Sequence, residues 1–400
     1  MPLREASLPT DSNDEKGTGT GAPRVRLSDC TLRDARHAPG VFLSRSQCVE
    51  IARRLAALGL DEIEIGLAGG DATERGVLTA INRLDLAPRT TCVFFCLRSA
   101  QIDDALAAAA DTGCSGVVVS IPTSDRFIEL KLKRSVRATR KLMQRAVAAA
   151  HARGLYVAFS GEDAARADVD RLIEYARAGA EAGGDRFRFA ESVSSLPPEE
   201  MRRRIGELAA ALPIPVEVHC HSAYGLATAN TLAAIDAGAR WASATVGGIG
   251  ERGGNTPLAP VLLYLHHFRG RRDLAPAGLK RLEEYVAIAA GLPFHRFTSI
   301  VGDSAFEYEL GSQWAARQVY EPYPPESVGN ESRLVVGRKL DRRGIAALAA
   351  AAGAELSPGE LDDLTEFLRP RLVGRRRGIG RRELDQLLDA FHQRTEGSAA

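Results

Sequence analysis

The chain has 400 residues, 52 Lys and Arg against 51 Asp and Glu, a formal net charge of +1, and 45% hydrophobic residues. That balance leaves no field of one sign, so neither nucleic acid nor a membrane surface is expected as the main partner. The apolar content is that of an ordinary globular protein. No apolar run approaches the roughly 20 residues that span a bilayer. Residues 1–23 are rich in Gly, Thr, Ser, Pro and charge, lack the apolar centre of a signal peptide, and are expected to form a disordered tail. The cysteines at 30, 48, 92, 96, 114 and 220 lie in apolar segments without a CxxC pair, and read as reduced core thiols of a cytoplasmic protein.

From Arg24 onward one unit recurs: a short β-branched or aromatic run, a polar turn, and a longer stretch of helical period. Strands are expected at RVRLSDCTL (24–32), EIEIG (62–66), TTCVFFC (90–96), GVVVSIP (116–122), YVAFSGE (156–162), RFRFAES (186–192), PVEVHCH (215–221) and WASATVGG (241–248). Alternation with helices implies parallel pairing, because each helix supplies the crossover that a parallel strand needs. A doubly wound sheet is the alternative for any such series. No GxGxxG follows the first strand, and eight even units favour closure, so the fold expected over residues 24–275 is an α/β (β/α)8 TIM barrel.

After an eighth helix near 256–269 the texture changes. A helix over 276–291 starts at Pro276, residues 292–335 are irregular and aromatic-rich, and short helices follow near 341–353, 357–369 and 380–393. Ser357-Pro358-Gly-Glu360 reads as an N-cap with a capping-box Glu. Residues 276–393 thus read as an appended C-terminal helical or lid region, which covers the barrel mouth or reaches a partner subunit, and 394–400 as a disordered tail.

A barrel of this kind places its active site at the C-terminal ends of its strands. There the sequence offers Thr31-Leu32-Arg33-Asp34 after strand one, Glu64 between Ile63 and Ile65 in strand two, Glu162-Asp163 after strand five and His219-Cys220-His221 at strand seven. The loop after strand eight, GGIGERGGN, ends at Asn255. Side chains two apart on a strand share a face, so His219 and His221 point the same way. With Asp34 and Asn255 at neighbouring rims they form a mixed nitrogen and oxygen set suited to a divalent ion such as Mg, Mn, Fe or Zn. The plainer reading of an isolated His-x-His is two solvated rim imidazoles; the independent placement of Asp34 and Asn255 favours the metal. Arg33 is a fixed cation able to polarise a ketone oxygen, or simply the ion-pair partner of Glu64; the two are compatible.

Taken together, DCTLRD (29–34), DEIEIG (61–66), SIPTSD (120–125), GEDAARAD (161–168), DRFRFA (185–190), HCH (219–221), GIGERGGN (248–255) and YEPYPPESVG (320–329) resemble the metal-dependent barrel family of homocitrate, isopropylmalate and citramalate synthases and hydroxymethylglutaryl-CoA lyase. In flavour the chain resembles homocitrate synthases of the nitrogenase-associated type. The resemblance implies an acyltransferase that condenses acetyl-CoA with a 2-oxo acid at a divalent metal (Mg, Mn or Zn). It implies Asp34, His219, His221 and Asn255 around the metal, Arg33, Ser192 and Glu162 against substrate, and Arg33, Glu64 and Tyr320 in catalysis. It also implies a homodimer in which the C-terminal region reaches the partner's active site. A carbon–carbon lyase and a non-catalytic homologue are the alternatives.

Several positions depart from the family's pattern. DGEQ is replaced by Asp34-Ala35-Arg36-His37, HxHND by His219-Cys220-His221-Ser222-Ala223 and DTVG by Glu191-Ser192-Val193-Ser194. In the tail, Tyr308 and Gln313 stand where the family has histidines, so Glu307 or Glu309 is a candidate substitute base. Arg36, His37 and Arg126, absent from the usual pattern, suggest a more anionic or unusual oxo acid.

Overall fold

A computed structural model describes residues 24–398 apart from Leu340, Ala352, Arg376, Arg377 and Gly380, so the expectation for residues 1–23 lies outside the described residues. The eight strands β1 (Arg26–Asp29), β2 (Glu62–Leu67), β3 (Arg89–Phe95), β4 (Gly116–Pro122), β5 (Tyr156–Glu162), β6 (Arg186–Glu191), β7 (Val216–Cys220) and β8 (Trp241–Ala244) pair in parallel and in sequence order. β1 closes on β8, with Arg26 opposite Trp241 and Asp29 opposite Ala244. The fold is the expected (β/α)8 barrel.

Local sequence explains why the crossovers are helical. Ser44 caps Arg45–Ala56 in a capping box with Gln47, and Asp71, Ser135 and Asp168 each accept a backbone N–H at the start of the helices that follow them. Each helix turns an apolar stripe to the sheet; in Val136–His151 the buried residues are Thr139, Leu142, Met143, Ala146, Val147 and Ala150. Strands such as β4, buried along their whole length, are packed by helices outside and by barrel contents inside.

Two expectations need correction. β1 was expected to run to residue 32, but it stops at Asp29. The Asp29 carboxylate accepts the Thr31 N–H at 2.8 Å and the Thr31 hydroxyl at 3.0 Å, a local turn that competes with the extended chain. Thr31–Asp34 is then one helical turn, and it carries Arg33 and Asp34 over the end of the barrel. The last helix, Arg381–Ser398, extends into the residues expected to be a disordered tail.

The barrel interior is charged. Arg186 of β6 binds Glu217 of β7 (Nε–Oε2 2.7 Å) and Glu62 of β2 (Nη1–Oε2 2.8 Å), while Arg188 meets Glu64 (2.7 Å) and Glu217 (2.9 Å). All five are buried. A layer normally filled by Val, Ile and Leu is here a closed ion-pair network, which is stable only because every charge has an opposite neighbour. The six cysteines are buried and unbridged, as expected.

One compact unit takes the barrel up to Gly278 together with Leu282–Pro293; a second takes Leu279–Arg281 and Phe294 onward. In the second, a two-residue pairing of Glu307–Tyr308 with Arg333–Leu334 precedes the helices Arg342–Ala351, Pro358–Leu368 and Arg381–Ser398. Their core includes Val336, Ile345, Leu364, Phe367 and Ile379. The Ser357 capping box with Glu360 forms as expected. Among the described residues, no helix is long and apolar enough to cross a membrane.

Candidate active site and metal centre

Among the described residues, Asp34, His219 and His221 each present a ligand atom within 4.8 Å of the others, and all three are buried. They reach one spot from different elements. Asp34 ends the helical turn after β1. His219 lies in β7 opposite Ser243 of β8, and His221, one residue past the strand, bridges to Asn255. The two imidazoles stand edge to face, their centroids 5.1 Å apart.

The electrostatics suit a cation. Burial raises the Asp34 carboxyl, but the Arg33 charge and His219 overcome it and hold Asp34 well below the usual carboxylate range, so it is an anion. Burial, with His219 and the Arg252 and Arg33 charges, pushes His221 down to about 3. Its ring is therefore neutral and keeps a lone pair to offer. His219 Nδ1 lies 2.9 Å from the Ser243 hydroxyl while Nε2 lies 3.3 Å from Asp34 Oδ2, so one ring nitrogen is engaged by the neighbouring strand and the other faces the ligand cluster. The Asn255 amide N–H donates to Asp34 Oδ2, and its Oδ1 is buried with no hydrogen-bond partner. An orphaned amide oxygen beside a carboxylate and two imidazoles fits a divalent ion of the Mg, Mn or Zn kind.

Asn255 is placed by glycine. Gly247, Gly248 and Gly254 have φ of +62°, +69° and +87°, which lets the loop fold back so that the Asn255 N–H meets Gly248 O at 2.9 Å. Arg252 in the same loop is left-handed at φ +56°, as are Lys133, Asp163 and Ser194 after β4, β5 and β6. Such backbone strain gathers where a site is held in shape. The Arg252 guanidinium donates to Ser192 O at 2.9 Å and lies 3.4 Å from His221 Nδ1.

Arg33 is fixed on two sides: Nε donates to Glu64 and Nη1 lies 2.7 Å from Asp34 Oδ1. Glu64 is held by Arg188 from beneath. Burial raises its carboxyl, but the Arg188 and Arg33 charges bring it down to about 2. Arg33, Asp34, Glu162, Ser192, His219 and His221 all line one pocket of about 430 Å³ at the C-terminal end of the barrel. Glu162 is ion-paired with Lys131, and the Ser192 hydroxyl accepts the Asp163 N–H at 2.9 Å.

Sequence reading missed Lys131, Arg188, Ser120 and Ser160, which also line this pocket. The signal was period two: Ser120 and Ser160 point the same way as the buried Val118 and Ala158 two residues earlier. Arg36, read as a possible substrate contact, instead donates to Glu74 (2.6 Å) and Leu32 O (3.3 Å), and Arg126 is exposed and is not among the lining residues. His37 does line the pocket.

Tyr320, Tyr308 and Gln313 belong to the second unit. Tyr320 is 57% exposed, the Tyr308 hydroxyl donates to Glu321 at 3.3 Å, and Gln313 lies in the short helix Gly311–Ala315. Glu307 is tied to Arg296 and accepts the Ser304 hydroxyl at 2.7 Å, and Glu309 accepts the Lys339 N–H at 3.3 Å. Both carboxylates thus have partners of their own.

The sequence pattern of the HMGL-like family matches residues 24–286. The chain belongs to this family. It is 35% identical over 390 residues to the homocitrate synthase of Frankia sp. strain FaC1, covering 96% of this chain and 94% of that one. It is 31% identical over 370 residues to 2-isopropylmalate synthase 2 of Caldanaerobacter subterraneus subsp. tengcongensis, covering 91% of this chain and 95% of the relative. A solved HMG-CoA lyase from Bacillus subtilis superposes with a TM-score of 0.61 at 17% identity over 70% of this chain and 98% of its own, a likeness of fold.

Proposed function

We propose that this HMGL-like protein is an acyltransferase that condenses acetyl-CoA with a 2-oxo acid at a divalent metal, releasing CoA. The observation that carries the reading is the buried Asp34, His219 and His221 cluster beside a doubly anchored Arg33 in the barrel-mouth pocket. Full-length similarity to synthases of this reaction type supports it.

Asp34, His219, His221 and Asn255 would hold the ion, which when bound supplies Lewis-acid polarisation of a ketone. Arg33, with Nε on Glu64 and Nη1 on Asp34, has Nη2 left for the oxo oxygen of the acid, where its charge stabilises the developing alkoxide. Glu64 is a positioning residue that keeps the guanidinium from rotating. Ser192 and Glu162 line the acid's binding wall, Glu162 with Lys131 as its counter-ion. In this reading the protein is a cytoplasmic homodimer whose C-terminal region, with Tyr320, completes the neighbouring subunit's site.

The test is thiol release from acetyl-CoA by purified protein with Mg, Mn or Zn and a panel of 2-oxo acids. Metal-dependent release with one acceptor supports the reading. No release with any acceptor overturns it, and cleavage of hydroxymethylglutaryl-CoA in the same preparation would favour a lyase.

A further inference from the structure

Most groups that line the barrel-mouth pocket and can accept a proton are already engaged. His219 and His221 belong to the ligand cluster with Asp34. Glu162 is paired with Lys131, and Glu251 lies 3.1 Å from Arg252. The exception is His37. It ends the short turn Ala35–His37 that follows Asp34, lines the same pocket, and is half-buried against Phe95, with ring centroids 6.5 Å apart. Among the described residues no side-chain hydrogen bond engages its ring nitrogens.

We infer that His37 is a catalytic base of this pocket, taking the proton from the methyl group of the acyl thioester. The inference rests on the proposed condensation. The methyl C–H bond breaks and its proton goes to a His37 ring nitrogen, while the electron pair forms the C–C bond to the carbonyl carbon of the 2-oxo acid. The carbonyl π pair moves to oxygen, and that oxygen takes a proton back. Water then cleaves the thioester C–S bond and releases the thiol.

The surroundings favour the neutral ring that a base requires. Burial and the nearby Arg33 charge lower the His37 pKa from its usual value, against the opposing charges of Asp34, Glu251 and Glu74. The neighbouring Phe95 ring, 6.5 Å away between centroids, offers no group that competes for a ring nitrogen.

The experiment compares wild type, His37→Gln and His37→Ala at saturating metal, reading thiol release with acetyl-CoA and with its trideuteromethyl form, and the bound metal content. The expected result is a fall in kcat on the order of 100-fold in both variants, with metal content and the KM for the 2-oxo acid unchanged. The deuterium isotope effect should be larger than in wild type, and added imidazole should restore part of the His37→Ala rate. His37→Gln keeps size and hydrogen-bonding capacity, so a His37→Gln rate within about 3-fold of wild type overturns the inference while leaving the condensation intact. An equal loss of rate and metal content also overturns it, because His37 would then act by supporting the metal site. Absence of thiol release by wild type itself removes the condensation reading and this inference with it.

Discussion

Arg188 and Glu64 stand 2.7 Å apart, both buried, and the second carboxylate oxygen of Glu64 takes the Nε–H of Arg33. The barrel's internal ion pairs therefore end at Arg33, whose Nη1 lies 2.7 Å from Asp34 of the candidate metal cluster. Glu62, Arg186, Glu217, Arg188, Glu64 and Arg33 form a continuous run of alternating charge from the interior to the pocket. Its consequence is orientation: Arg33 cannot swing without unpairing buried charges.

Glu64→Gln tests that consequence. The amide keeps the shape but removes the charge between two arginines, and thiol release should fall at least about 10-fold with metal content retained. Stability should respond to pH as well. The folded carboxyl lies at about 2 against an ordinary 4.5. A lowered folded pKa means the stabilisation is present above pH 4.5 and is lost as pH falls toward 2. Denaturant midpoints of wild type should drop across that window more steeply than those of Glu64→Gln. Parallel curves would show that the carboxylate does not carry this stability.

Glu283 makes the opposite prediction. Glu283 is buried, and burial, opposed by the Gly247 backbone N–H, raises its carboxyl from 4.5 to about 7. A raised folded pKa means that ionisation opposes folding: the cost begins above pH 4.5 and is complete above about pH 7. At about 1.4 kcal/mol per pH unit this is on the order of 3 kcal/mol. Glu283→Gln should therefore be more stable than wild type at pH 8 and nearly equal to it at pH 4.5, measured by urea unfolding. A gain that is the same at both pH values would assign the effect to packing instead.

His219→Ala should abolish metal binding and thiol release together, because it removes one of three clustered ligands. Gln313→Ala, in the second unit, should change the rate by less than about 3-fold, since an amide cannot serve as a base at neutral pH. Isothermal titration with Mn and thiol assays on both variants check this. A loss in Gln313→Ala as deep as in His219→Ala would assign Gln313 an essential role.

The barrel and the clustering of Asp34, His219 and His221 were legible because each rests on short-range information. Strand and helix periods set the eight units, and HCH, LRD and the loop ending at Asn255 fall at strand ends whatever the exact boundaries. The interior ion pairs were not legible. In RFRF both faces of β6 are buried, so Phe187 and Phe189 pack on one side and Arg186 and Arg188 on the other, and period two cannot say which face is inside. The partners of Arg186 lie 124 residues away in Glu62 and 31 away in Glu217, pairings that only closure of the barrel creates. Arg36 was misread for a related reason: its partner Glu74 lies on the helix after the next strand.

Ser243 gives the most local test of the proposed metal centre. Its hydroxyl lies 2.9 Å from His219 Nδ1 and 3.3 Å from Val218 O, to which it donates. With its own proton on the carbonyl, the hydroxyl oxygen is an acceptor for Nδ1–H, and that tautomer would leave the Nε2 lone pair free for an ion held together with Asp34. Ser243→Ala removes that acceptor without touching a ligand. Partners of this kind typically contribute 10–100-fold to metal affinity, so a weakening of about 10-fold or more is expected, with thiol release recovering as metal is raised. Because Ser243 is buried in β8 and the change only deletes a hydroxyl, the barrel should remain folded by circular dichroism. Unchanged affinity in a folded Ser243→Ala protein would show that the strand does not set the His219 tautomer.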